Sequence, residues 1–261
     1  MNVYVMVDAE GCSGIYSSEQ VTENGNRREE GRRLMTADVN ACARALKEAG
    51  VEKVYVRDCH GSANSVLFDQ LSDAVDYCIS GYTGQERMAG LEDCDGVILL
   101  GYHAMAGTAR GLLEHSMSSK AVQNYWINGE LVGETMIDAA IAGEMGKPVM
   151  LVSGDDRLCA EASALLPWTI TCEVKRGITW GGAILYNQAA AHALLRAKTL
   201  DAVRALPNMQ PYQIASPITL RCEVTERTHL PLPDSKPYMR IIDGRTYEVT
   251  GATMREALFR L

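Results

Sequence analysis

Four short apolar runs punctuate the chain: Val3 to Val7, Val54 to Val56, Val97 to Leu100 and Val149 to Val152. They are nearly continuous rather than alternating, which is the pattern of strands buried on both faces of a parallel sheet. Between the first two runs lies a helical period. Met35, Val39, Cys42, Leu46 and Ala49 recur at spacings of four and three, and Gly50 follows to take a left-handed cap. Strand, helix, strand in repetition predicts an α/β fold: an open, mostly parallel sheet with flanking helices.

From about residue 116 the pattern changes. Ala121 to Ile127 and Glu130 to Val132 flank Asn128-Gly129, a pair suited to the positive φ angles of a type I′ hairpin turn. A helix is predicted over about 133–145, stopped by Gly146 and Pro148. A strand near 169–174, an Ala/Leu-rich helix over 187–206, a hairpin turning at Asp243-Gly244 and a short helix over 253–261 follow. The expectation is one unit over 1–261, with an α/β core at about 1–115 and 147–160. A smaller α+β part carrying the hairpins takes about 116–146 and 161–261.

Charge and composition narrow the partners. The net charge is −8 without basic runs, so nucleic acid is not expected, because phosphate binding needs clustered Lys and Arg. No segment approaches the roughly 18 consecutive apolar residues of a membrane helix, so no membrane partner is expected either. The opening MNVYVMVDAEG reads as a strand rather than a signal peptide. Eight cysteines lie without a CxxC pair, and they are expected to be reduced and mostly buried, in a cytoplasmic protein.

The candidate chemistry sits at the strand ends. After the four runs come Asp8-Ala9-Glu10-Gly11, Asp58-Cys59-His60-Gly61, Gly101-Tyr102-His103-Ala104 and Gly154-Asp155-Asp156-Arg157. Ligands of open α/β sheets bind outside the carboxyl ends of the strands. Carboxylates and histidines gathered on that rim make a donor set suited to Zn²⁺ or Mn²⁺. Each residue alone also has a plainer reading. Asp8 suits a loop cap or a ribose, His60 and His103 suit hydrogen-bonded loop positions, and Glu134 suits the dipole of a helix start. Of the five histidines, His60, His103 and His115 fall in loop motifs, whereas His192 in a helix and His229 in a polar loop are assigned to solvent. Gly11-Cys12-Ser13-Gly14 fits neither GxGxxG nor a Walker loop, and Asp8 and Glu10 would repel a pyrophosphate.

The ordered set VDAEGCSGI, GRRLMTADVNA, DCHGSAN, GYHAMAG, EHSMS, NGELVGE and VSGDDR resembles the zinc-dependent D-aminopeptidases of bacterial dipeptide operons, the DppA-type metallopeptidases. Carried over residue by residue, the resemblance implies two Zn²⁺ per chain, with other divalent metals such as Mn²⁺ left open. Asp8 would bridge both ions, Glu10 and His60 would complete one, and His103 and Glu134 the other. His115, in EHSMS, matches the family's catalytic residue, described there as a nucleophile; a general acid/base role is equally open. Asp58 and Asp155 are candidates for orienting the histidines. Arg157 and Lys175, near predicted strand ends, are candidates for gripping a substrate carboxylate or oxyanion.

The implied activity is hydrolysis of short peptides with an N-terminal D-residue of the D-Ala type. The implied assembly is a ring-stacked homo-oligomer, a decamer, around a central channel. Two other readings stay open: another metal-dependent amidase on the same scaffold, and a non-catalytic metal-containing ligand-binding protein.

Overall fold

The structure, a computed structural model, describes residues 1–232 and 236–261. In chain order its elements are β1 (Asn2–Val7), α1 (Ser18–Val21), α2 (Arg28–Glu48), β2 (Lys53–Asp58), β3 (Tyr77–Ile79), β4 (Gly96–Leu100), β5 (Val122–Ile127), β6 (Glu130–Val132) and α3 (Glu134–Glu144). There follow β7 (Val149–Asp155), α4 (Asp156–Leu165), β8 (Ile170–Thr179), β9 (Gly182–Leu185), α5 (Gln188–Ala205), β10 (Ile218–Val224), β11 (Met239–Ile241), β12 (Thr246–Gly251) and α6 (Met254–Arg260).

Two sheets result. The first runs β3-β2-β1-β4-β7-β8-β9, and only its edge strand β9 is antiparallel to its neighbour. The second runs β11-β12-β10-β5-β6 and is antiparallel throughout. The apolar runs are continuous because both faces of the first sheet are covered. Val3, Val5 and Val7 share a core with Val39 and Leu46 of α2 and Leu195 of α5. Tyr4 and Met6 point the other way, into a core with Ile137 and Ile141 of α3 and Leu220 and Val249 of the second sheet.

Local expectations hold at the turns. Asn128 and Gly129 take φ of 51° and 91°, as a type I′ turn requires, and Gly50 closes α2 at φ 84°. All eight cysteines are free thiols; six are buried and two, Cys59 and Cys78, half-buried. No helix among the described residues is long and apolar enough to cross a membrane.

The internal boundary expected at residue 161 is displaced. Cys172 and Val174 are buried, β8 pairs in parallel with β7, and α5 shares the core of α2. The stretch through α5 therefore extends the first sheet, and only the elements from β10 onward join the β5-β6 hairpin. His192, expected in solvent, corrects in the same way. Packing of α5 on α2 brings its Nε2 to 3.0 Å from the buried Asp38 Oδ1. His229 stays exposed, as expected.

Candidate metal centre

The chain adds β2 and β3 on one side of β1, then returns to place β4 on the other. The β1/β4 boundary is thus the topological switch point, where crossing loops diverge and leave a crevice. Here the crevice is drawn tight by backbone. Gly11 N donates to Gly101 O at 2.7 Å, and a Cβ at Gly11 would sit 1.8 Å from Tyr102 O. Only glycine lets the β1 loop approach the β4 loop so closely. That approach carries Asp8 and Glu10 beside His103, while the β2 loop contributes His60. Glu134 arrives from the second layer, as the first residue of α3.

The side chains converge. His103 Nε2 lies 3.4 Å from Asp8 Oδ2 and 3.3 Å from Glu134 Oε1; His60 Nε2 lies 3.5 Å from Glu10 Oε1. His115 Nε2 is 3.7 Å from Glu134 Oε1, and its ring stacks on His103 at 3.9 Å between centroids with 13° between planes. Asp8, Glu10 and His103 place ligand atoms within 4.8 Å of one another, and so do His103, His115 and Glu134. His103 is thus common to both triads, and His60 joins through Glu10.

Backbone contacts set the tautomers. Nδ1 of His103 bonds Ala104 O at 3.0 Å and Nδ1 of His115 bonds Leu113 O at 2.9 Å. A carbonyl only accepts, so each Nδ1 carries the proton and each Nε2 turns a lone pair toward the cluster. His60 is oriented by Ser65 Oγ, 2.9 Å from its Nδ1.

Two tests favour a cation among these donors. The first is geometric: His103 Nε2 and Glu10 Oε2 are buried and make no hydrogen bond among the described residues, although opposite groups lie nearby. Buried polar atoms are normally satisfied, and metal coordination satisfies donors held at these separations. The second is electrostatic. Burial, and then Glu10, push Asp8 up to about 8. Burial pulls His60 down, but Glu10 more than offsets it and holds the ring up at about 9. Burial likewise raises Glu10 and Glu134, yet the histidines draw both below the carboxylate range. His115 is lowered by burial and by His103. Three carboxylates buried together call for compensating positive charge, which divalent cations provide most compactly.

The other expected residues lie around the cluster in different roles. Asp58 is buried and accepts from the N–H groups of His60, Ser65 and Val66, so it shapes the loop while Ser65 touches the ring. Asp155 caps α4 through the N–H groups of Arg157 and Leu158 and accepts from Leu112 N at 2.9 Å, holding the loop that carries His115. Neither aspartate touches an imidazole, which corrects the expectation of direct orienting contacts.

Arg157 pairs with its neighbour Asp156 at 3.3 Å, not with the cluster. Lys175 is fully buried and donates to Glu10 O at 2.5 Å and to Cys12 O and Ile15 O at 2.7 Å each. All three of its hydrogens are spent on the β1 loop, so none remains for a substrate.

Three residues escaped the reading of the sequence. Asp138 binds Arg87 at 2.6 and 2.8 Å and accepts from Tyr102 OH at 2.7 Å, and Arg87 reaches Glu134 Oε2 at 3.6 Å. Asp138 follows Glu134 by four on α3, hence on the same face, and that spacing was the available signal. Arg87 lies in a loop whose partners are distant in sequence.

The cluster opens into a cavity of about 690 Å³ lined by Asp8, Glu10, His60, His115, Glu134 and Trp180, among others. The chain as a whole matches known proteins. A family model described as D-aminopeptidase (Peptidase_M55) matches residues 1–261. A D-aminopeptidase of Bacillus subtilis (strain 168) is 34% identical over 212 residues, covering 81% of this chain and 77% of the relative. A solved structure is titled as the Zn-dependent D-aminopeptidase DppA from Bacillus subtilis, a self-compartmentalizing protease. It superposes with a TM-score of 0.93 at 31% identity, covering 100% of this chain and 94% of that one.

Proposed function

The chain belongs to the Peptidase_M55 family of D-aminopeptidases, and on that premise we propose that it is a zinc-dependent hydrolase releasing N-terminal D-residues of the D-Ala type from short peptides. The observation that carries this reading is the convergence of Asp8, Glu10 and Glu134 around a buried His103 Nε2 that has no hydrogen-bond partner among the described residues.

In this reading Asp8, Glu10, His60, His103 and Glu134 would hold two zinc ions, with Asp8 shared between them. Bound there, the pair supplies Lewis acidity, an acidified water and charge to offset an oxyanion. His115 moves the protons. Its Nδ1 is committed to Leu113 O, so Nε2 accepts the proton of the attacking water and returns it to the departing amine. The acid-rich cavity attracts the peptide's free ammonium. Arg87, fixed by Asp138, holds the Glu134 carboxylate from behind.

The free cysteines fit a reducing, cytoplasmic setting. The self-compartmentalizing relative supports a homo-oligomer, with a ring-stacked decamer as the assembly we propose. The test compares turnover of D-Ala-D-Ala and L-Ala-L-Ala alongside zinc content. Hydrolysis of the D-dipeptide alone with two zinc per chain is expected. Metal-loaded protein that cleaves neither contradicts the reading.

A further inference from the structure

A second cleft, of about 240 Å³, adjoins the acidic cavity and shares Cys59, Gly61, Ser62 and Met117 with it. Its lining differs in charge. Arg57, Arg87, Ser62 and Thr83 face it, and no Asp or Glu does. Arg87 is neutralised by Asp138, but Arg57 is not. Arg57 is 7% exposed, and its hydrogen bonds go only to neutral acceptors: Gly81 O at 2.9 Å, Ile79 O at 3.4 Å and Thr83 Oγ1 at 3.2 Å. Its Nε is buried and has no partner among the described residues.

A buried guanidinium is normally paired with a carboxylate, because leaving its charge uncompensated is costly. Among the described residues nothing in the protein's own packing supplies that carboxylate to Arg57. The cleft volume falls below the roughly 300–1,000 Å³ of pockets for drug-sized ligands, so its occupant is residue-sized. The cleft also comes close behind the ligand cluster, since Arg87 Nη2 lies 3.6 Å from Glu134 Oε2. A two-residue peptide spans about 7 Å fully extended, the scale of two cavities that share their lining residues.

From these observations we infer that the Arg57 cleft is a carboxylate subsite that receives the free C-terminus of a short peptide substrate. The inference rests on the peptidase reading above and adds to it a reason for short substrates. The acidic cavity takes the ammonium end and the arginine cleft takes the carboxylate end, so chain length is read by charge at both termini.

The test compares D-Ala-D-Ala with D-alaninamide, which presents the same N-terminal residue and scissile C–N bond but no carboxylate. The wild type is expected to show a KM for the dipeptide at least tenfold below that for the amide. Arg57→Gln is expected to raise the dipeptide KM at least tenfold more than the amide KM, with Arg57→Lys intermediate. Equal wild-type KM values overturn the inference, and so does an equal loss on both substrates in a folded, zinc-loaded variant. If Arg57→Gln does not fold, the wild-type comparison and Arg57→Lys carry the test. A wild type that cleaves neither substrate defeats the peptidase reading itself, a different failure from a missing carboxylate preference.

Discussion

The loop that follows β1 and the loop that carries His115 meet at one cavity, yet they are held in opposite ways. The β1 loop is fixed from beneath. Lys175 grips three of its carbonyls, Asp38 accepts from Ser13 N at 2.7 Å, and Gly11 bonds the β4 loop backbone. The His115 loop hangs from scattered single contacts. Leu112 N reaches Asp155, Leu113 N reaches Trp180 O at 2.8 Å and Met117 N reaches Glu134 Oε1 at 2.5 Å. Arg110, Leu113 and Met117 all take positive φ, between 53° and 65°, a conformation side chains rarely favour. The proposed ligands Asp8 and Glu10 thus lie on a densely bonded, buried segment, and the proposed proton carrier His115 on a strained one. A cation demands fixed donor geometry, whereas a proton carrier needs only to be aimed, and the division of support follows that difference.

The comparison breaks most completely at Asp8. Asp8→Asn is expected to lose both zinc ions and all turnover, read by elemental analysis and peptide hydrolysis. On the other loop, His115→Ala is expected to lower kcat roughly 10²–10⁴-fold, the usual contribution of general acid/base catalysis. Its zinc content should match the wild type. Loss of metal in His115→Ala would make it a ligand and erase the distinction between the loops.

Support residues come next. Lys175→Met strands three carbonyls at about 1–3 kcal/mol each, offset by no longer burying an ammonium, so about 2–4 kcal/mol of stability should be lost. Because those carbonyls lie on the β1 loop, zinc affinity should fall too, measured by competition with a chelator. Asp155→Ala removes the cap of α4 and the anchor of Leu112, costing about 1 kcal/mol by denaturant unfolding. Here kcat should drop while zinc stays bound. The smallest effect is expected at His192→Ala, within about 1 kcal/mol, since its bond to Asp38 lies behind the loop and is half-exposed.

Much of this division was legible in the sequence. Continuous apolar runs announced the parallel sheet, and the residues that follow those runs are the ones gathered at its edge. Asp8, Glu10, His60 and His103 could be named because strand direction alone sends them to one rim. Glu134, from a different layer, stood out only as the start of a predicted helix, and its place among the ligands came through resemblance. What stayed hidden was the support, because it depends on contacts across distant positions. Lys175 reads as a grip for a substrate carboxylate until its ammonium is seen buried under the β1 loop, 165 residues earlier. Asp155 looked like a partner for a histidine, but its position at the start of α4 commits it to backbone N–H groups. Arg57 falls between an apolar run and the Asp58 motif and drew no reading; among the described residues its want of a carboxylate emerges only when the 79–83 segment is folded over it.

The central claim is that metal and proton chemistry are divided between the two loops, and zinc per chain in protein purified without added metal or chelator tests it most directly. Wild type and His115→Ala should each hold two zinc ions, with only the wild type cleaving D-Ala-D-Ala. A wild type without zinc, or a His115→Ala variant that loses zinc or retains full turnover, would contradict it.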